Sequence, residues 1–414
     1  MSKNKYKYFW VIGGGILQIP LIHEVKKLNY SVIVTDGNSD CICKNQAEIF
    51  ECIDIYDISK HVQYAKKLIS NNTNICGVLA AGIDAHETMA IIAEYLNLPG
   101  VDSKISKIVS NKDLFRNKMK EIQIPVPKYY VIEKSNICSL ENIINSIGYP
   151  LIVKNTSSSG SRGTKIFYEN DYSGVLSMVN EAIKVSKSRK ALIESLWDGS
   201  EHTVETLYDI NGKYHKCFIT DRIFDKTNGY ALETGLDHPT RLERDSQKQM
   251  YELAYLVSKN IGINQGAAKF DMMMTSDGPR IIEMTLRLSG GFDCQYLVPA
   301  ATGKNILKAA ILTALGKEFD KELLIDNKKH VSISRSLWPL PGRITKIKGI
   351  ENAKKQKGFE FIYFRYKVGD IVLPYTDCTK RVCFIIVSGK DYYEAESNME
   401  NIINLIKIDT ANLL

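Results

Sequence analysis

Four consecutive apolar residues, Phe9-Trp10-Val11-Ile12, run straight into Gly13-Gly14-Gly15 and then into helical apolar spacing over residues 16–28. No other feature constrains the fold as strongly. A short uncharged run closed by glycine reads as a strand buried on both faces, and such strands belong to parallel sheets covered by helices. The pattern then repeats. Residues 31–35 form a second strand ending at Asp36, residues 58–69 a helix, and residues 76–81 another buried strand. A helix over 85–96 is stopped by Leu98-Pro99-Gly100. This βαβ succession predicts a doubly wound α/β sheet.

Past residue 111 the character changes. Residues 113–122 form an amphipathic helix, and Ile124-Pro125-Val126-Pro127 forces extended chain, because a residue before proline avoids the helical region. Strands are predicted over 149–154, 190–194, 203–208, 213–220, 267–274 and 280–284, with a helix at 245–259. The turn Ser276-Asp277-Gly278 makes the last two strands an antiparallel pair. From about residue 330, short strands and a closing helix over 392–406 predict a small α+β unit. A chain of 414 residues has room for two or three such domains.

Charge excludes several functions. The 54 basic and 47 acidic residues leave a net +7, without any block of like charges, zinc finger or RNA-binding aromatic motif. No nucleic-acid partner is expected. No run of about 18 apolar residues occurs, so no membrane partner is expected either. The apolar stretch near the N-terminus is too short for a signal peptide, and the expected location is the cytoplasm. Nine cysteines at irregular spacing, without a C-x-x-C pair, read as reduced thiols. Seven histidines form no cluster, so no zinc site is expected.

Three local patterns carry chemistry. The glycine turn has Gln18 where a dinucleotide fingerprint places its third glycine. It is either a nucleotide turn, with Asp36 on a ribose, or a tight strand–helix turn without nucleotide. Ser157 to Thr164 is rich in serine and glycine and contains Ser161, Arg162 and Gly163. Its backbone N–H groups can cradle phosphate, with Lys154 at a strand end adding a point charge; the alternative is a flexible linker. Asp271 and Glu283 lie among apolar residues on paired strands, with Arg287 four residues on. Buried acids need a cation, and hard oxygens beside phosphate suit Mg²⁺; the alternative is a structural Asp–Arg pair. Glu194 and Glu201, seven residues apart, add two more carboxylates. No P-loop and no serine-hydrolase elbow is present.

Taken in order, these elements resemble the ATP-grasp superfamily of ligases, with L-amino-acid ligases and biotin-carboxylase-like enzymes as the nearest types. The resemblance implies a Rossmann-like pre-ATP-grasp domain over 1–111, a two-lobed ATP-grasp domain over 112–325 with its lid lobe at about 128–200, and a C-terminal domain over 326–414. It implies ATP and one or two Mg²⁺ ions, or Mn²⁺, as cofactors. It places Lys112 and Lys154 on the phosphates, Ser161, Arg162 and Gly163 in the loop over them, Glu194 and Leu196 at the adenine, and Glu201 on the ribose. Asp271 and Glu283 would hold metal, with Glu233 of Glu233-Thr234-Gly235-Leu236 as a further metal or substrate contact. Arg287 would hold the substrate carboxylate and its acyl phosphate, and His238 and Ser289 would touch substrate. Thr285 stands where the family's metal strand carries asparagine, and Leu236 where amino-acid ligases carry histidine.

The implied reaction activates a carboxylate as an acyl phosphate and joins it to an amine. Small-molecule carboxylates and amines are the expected partners, and a homodimer is compatible with the family. The rival readings are bicarbonate activation, a non-catalytic nucleotide-binding protein, and a nicotinamide oxidoreductase resting on the glycine turn alone.

Overall fold

The computed structural model describes residues 6–157 and 160–412. Among them, four sheets form. The first holds β1 (Lys7–Ile12), β2 (Ser31–Asp36), β3 (Ile49–Cys52) and β4 (Asn74–Leu79). Its strands are parallel in the order β3-β2-β1-β4, the doubly wound arrangement expected. Phe9, Trp10, Val11 and Ile12 are fully buried, as a central parallel strand demands.

The glycine turn settles its own alternative. Gly14 N donates to Asp36 Oδ2 at 2.7 Å, and Gln18 Nε2 donates to Ala81 O at 2.5 Å. A side chain at Gly14 would collide with Cys41 Sγ. Asp36 and Gln18 thus tie the turn to its own sheet, and cysteine sulfur packs against it. This is a tight strand–helix turn, and Asp36 is spent on it rather than offered to a ribose.

The second sheet is antiparallel: β5 (Tyr129–Ile132), β6 (Leu151–Asn155), β7 (Lys165–Phe167) and β8 (Ala191–Ser195), in the order β5-β8-β6-β7. The helices Leu140–Ile147 and Tyr172–Val185 cover one face with their own apolar core. Asp171 caps the second helix, accepting from Gly174 N at 2.8 Å.

The third sheet organises the molecule. It contains β9 (Ser200–Tyr208), β10 (Tyr214–Asp225), β11 (Leu232–His238), β12 (Gly266–Thr275), β13 (Gly278–Thr285) and β14 (Val331–Leu337). The C-terminal region adds β15 (Gly342–Lys348), β16 (Phe359–Phe364), β17 (Ile371–Val372), β18 (Cys383–Gly389) and β19 (Lys407–Ala411). Of these, β18 and β16 join the large sheet, whose order is β13-β12-β9-β10-β11-β14-β18-β16. The remaining three form the small sheet β17-β15-β19. The turn through Ser276 and Asp277 pairs β12 with β13 antiparallel, as expected. The helix Arg244–Ile261 packs on this sheet and ends at Gly262, whose φ of 89° is the left-handed cap glycine tolerates. No helix among the described residues is long and apolar enough to cross a membrane.

The hydrogen-bonded ladder therefore continues through residue 326 without a break, since β11 pairs with β14. A chain ending at residue 325 would leave β11 as an open edge and expose the apolar cluster of Leu236, Phe292 and Leu297 that Phe384 and Ile386 cover. Such open apolar edges aggregate. The shortened chain is expected in the insoluble fraction, or eluting with the void volume in size-exclusion chromatography. A monodisperse monomer with a cooperative melt would show that the two parts fold independently.

Candidate functional site

One cavity of about 490 Å³ opens where the glycine-turn domain, the antiparallel lobe and the large sheet meet. That volume lies within the range of small-molecule sites. Strand alternation aims the side chains. On β6, Leu151 and Val153 face the lobe's core, while Ile152 and Lys154 face the cavity. Glu194 on β8 lies directly opposite Ile152. On the floor, Glu201 and Thr203 of β9, Asp271 of β12 and Glu283 of β13 share the cavity face. Asp271 and Glu283 stand directly opposite each other in the ladder.

Glu194 is 1% exposed and bound on both oxygens. Arg116 Nε lies 2.6 Å from Oε1, and Lys154 Nζ lies 2.8 Å from Oε2. Burial alone would raise its pKa, but the two cations outweigh burial and hold the carboxyl down at about 2. Glu194 does line the cavity, yet its oxygens are committed to cations. Arg116, one helical turn from Lys112, is a site residue the sequence did not flag. Its Nη2 also donates to Ile282 O at 2.8 Å, which ties the helix Lys112–Glu121 to β13.

A second cation was equally hidden. Arg222 of β10 reaches Asp271 at 2.9 Å, Glu233 at 3.1 Å and Glu201 at 4.0 Å. Lys269 Nζ adds a 2.5 Å contact to Asp271, and Lys226 Nζ one of 2.8 Å to Glu201. Lys112 Nζ sits 3.0 Å from Glu283. Burial opposes ionisation of Asp271, but Arg222 and Lys269 keep its pKa below the usual range. Glu233 is held between Arg222 and Arg381.

Arg287 is 8% exposed and pairs with neither Asp271 nor Asp293. Its Nη2 lies 2.7 Å from Asp84 Oδ1, so the guanidinium clamps the glycine-turn domain to the large sheet. His238 is a correction. Leu236 lines the cavity, but two residues on, the ring is buried against Phe218, with Nδ1 3.0 Å from Ile219 O. Burial lowers its pKa to about 4, and it touches no part of the cavity. Ser289 lines the cavity but is 1% exposed, and its N–H is taken by Glu205 at 3.0 Å.

The loop expected over phosphate has left-handed φ values at Gly160, Ser161 and Gly163. Its residues 158 and 159 lie outside the described residues. Asn155 Nδ2 donates to Arg162 O at 2.5 Å, and Cys378 N donates to Gly160 O at 3.1 Å. The loop thus rests on the C-terminal part of the chain. Leu196 follows β8 into the cavity wall, its N–H donating to Pro150 O at 3.2 Å.

The donor set fits magnesium. Asp271 and Glu283 offer opposed hard oxygens, and between them and Arg287 the buried Thr285 Oγ1 has no partner among the described residues.

A family model of the ATP-grasp domain matches residues 147–295, and one of L-amino acid ligase C-terminal domain 2 matches residues 335–411. The chain carries an ATP-grasp domain. Among solved structures, this ATP-grasp chain is similar to the L-amino acid ligase from Bacillus licheniformis, at 20% identity over the whole of both chains and a TM-score of 0.85. It is also similar to phosphoribosylglycinamide synthetase from Anaerococcus prevotii, at 19% identity over 98% of this chain and 100% of that one, with a TM-score of 0.75. A phosphoribosylamine–glycine ligase from Caldanaerobacter subterraneus subsp. tengcongensis is 21% identical over 93% of each chain.

Behind the floor of the ATP-grasp site lies Glu205, fully buried, with Oε1 lacking any partner among the described residues. Burial lifts its pKa to about 7, despite the Ser289 N–H and the charges of Lys269 and Arg287. In the unfolded chain it titrates near 4.5. Between these values the folded state holds a proton that the unfolded state has released. Stability therefore falls as pH rises from about 4.5 to about 7, by on the order of 3 kcal/mol. Glu205→Gln should abolish that decline. Denaturant titrations of both proteins from pH 4 to 8 check it; parallel stability curves would mean that Glu205 is ionised in the fold.

Proposed function

We propose that this chain is an ATP-dependent, ADP-forming ligase that joins a small-molecule carboxylate to an amine. The carrying observation is one cavity in which Lys112, Lys154 and Arg287, from three different elements, surround the opposed acids Asp271 and Glu283. Among the described residues no histidine lines it, so no serine–histidine or cysteine–histidine pair is available for covalent catalysis. A site of fixed cations and paired acids suits phosphoryl transfer, which depends on positioning and charge neutralisation.

In this reading a carboxylate oxygen attacks the γ-phosphorus of ATP and the bond to the bridging oxygen breaks, giving an acyl phosphate and ADP. An amine then attacks the acyl carbon, loses a proton, and expels phosphate. Lys154 and Lys112 neutralise the nucleotide's phosphates, Ser161 to Gly163 close over them, and Leu196 borders the base. Glu201, which lines the cavity from β9, would accept from ribose hydroxyls. Asp271, Glu283 and Thr285 would hold Mg²⁺, which supplies charge neutralisation at the phosphates when bound. Arg287 presents two parallel N–H groups to the substrate carboxylate and follows the charge onto the acyl phosphate. To do so it must exchange Asp84 for substrate. The nine cysteines, all free, support a reducing compartment and hence the cytoplasm.

Two measurements test this. Lys154→Ala should weaken ATP binding by about 1.5–3 kcal/mol, the scale of a charge-assisted hydrogen bond. Equal affinities in an ATP titration would remove Lys154 from the nucleotide. Arg287→Lys keeps the charge and loses the fork. It should bind ATP nearly normally and lose about 100-fold or more in single-turnover ADP formation. A lowered melting temperature with an unchanged rate constant would leave Arg287 as a clamp on Asp84 alone.

A further inference from the structure

On the face of the large sheet turned away from the cavity, Ser200, His202 and Asp221 form a chain of hydrogen bonds. Along β9, Glu201 and Thr203 line the cavity, so strand alternation directs Ser200 and His202 to the other face. Further along that face, Val204 packs into the core under the helix Arg244–Ile261. Asp221 of β10 stands directly opposite His202 in the antiparallel ladder. His202 Nδ1 lies 2.8 Å from Asp221 Oδ1, and Nε2 lies 2.6 Å from Ser200 Oγ. None of the three residues lines the cavity.

The order of protons follows from the partners. An ionised Asp221 only accepts, so Nδ1 carries the ring proton and Nε2 is left to accept from the serine hydroxyl. Burial opposes ionisation of Asp221, but His202, Thr240 Oγ1 and the Arg241 N–H at 2.8 Å all donate to it and keep its pKa below the usual range. The carboxylate thereby fixes both the tautomer and the plane of the ring. His202 is 3% exposed, which shields the ring from water. Ser200 is exposed, and its hydroxyl bonds to His202. A network that only pinned β9 to β10 would need His202 and Asp221 and would have no use for a hydroxyl at the surface. A buried base, a buried orienting acid and a solvent-facing hydroxyl are the parts of an activated serine.

We propose that Ser200 is a nucleophile, with His202 as its base and Asp221 orienting the base, in a second, hydrolytic site for activated acyl compounds. Ser200 Oγ attacks the acyl carbon as its proton passes to His202 Nε2. The bond from that carbon to the leaving group breaks, and the leaving group departs with the proton from His202. Water then attacks the serine ester and gives a proton to Nε2; the acid is released as Ser200 regains that proton. The three side chains supply nucleophile, base and orienting acid. Oxyanion stabilisation is not among their tasks, so the acyl donors within reach are those with good leaving groups, aryl esters and acyl phosphates, rather than amides. The site stands apart from the ligase reading, because this chemistry takes no ATP.

The full-length chain mixed with p-nitrophenyl acetate, without nucleotide, tests the site. Wild type should release p-nitrophenolate in a burst that scales with protein concentration, and mass spectrometry should find acetyl on the peptide that contains Ser200. Ser200→Ala removes only an exposed hydroxyl; it should melt like wild type and lose both the burst and the acetylated peptide. Ser200→Cys keeps a nucleophile and should still be acetylated at that position. His202→Gln should slow acylation about 100-fold, the scale of a positioned general base. A fluorophosphonate should form an Oγ–P bond at Ser200 with loss of fluoride, and should leave Ser200→Ala unlabelled. Equal release by wild type and Ser200→Ala, acetyl confined to lysines or cysteines, or a wild-type rate no faster than that of free imidazole at the same concentration each overturns the proposal.

Discussion

The structure depends on one buried carboxylate. Glu194 sits at the junction of the antiparallel lobe and the large sheet, and its two oxygens hold Lys154 from β6 and Arg116 from the helix Lys112–Glu121. Arg116 continues to the Ile282 carbonyl on β13. Three elements are thereby fixed to one charge. An ionised carboxyl this deep is stable only while both partners remain, since an uncompensated buried charge costs several kcal/mol. The triad therefore works as a register pin: it sets how far the lobe's Lys154 stands from the acids of β12 and β13.

The remainder of the cavity follows the same electrostatic rule. Asp271 on β12, Glu201 on β9 and Glu233 on β11 would repel one another, and Arg222 of the intervening β10 lies among all three. Arg287 spans to Asp84 on the glycine-turn domain, so one ion pair ties that domain to the large sheet. A ligand entering this site exchanges partners with existing ion pairs. Such exchange costs less than desolvating free charges, and it keeps the cavity preorganised between turnovers.

How much was legible in the sequence depended on how local each signal was. Lys154 could be read because a lysine at a strand end precedes a glycine-serine loop within a few residues. Asp271, Glu283 and Arg287 could be read because one short turn brings both acids into a single hairpin. Arg116 was within reach, as the residue one turn after Lys112, but nothing local shows that its target is Glu194, seventy-eight positions away. Arg222, Lys269, Asp84, Arg365 and Arg381 leave no local mark. His238 misled for the opposite reason: closeness in sequence to Glu233 and Leu236 suggested a shared site, yet β11 leaves the cavity wall before reaching it.

The amino-acid order alone determined the doubly wound sheet, the phosphate-loop candidate, the acid hairpin and the superfamily resemblance. Each rests on hydrophobic period, glycine placement or a turn of two or three residues, and such signals act over distances shorter than one element. Only the tertiary structure decided that Asp36 serves its own glycine turn, that Arg287 meets Asp84, and that β14, β18 and β16 extend the central sheet to bring Arg381 and Arg365 to the cavity. Those outcomes follow from pairing between strands far apart in the chain, where register and burial select the partner and no local pattern records the choice.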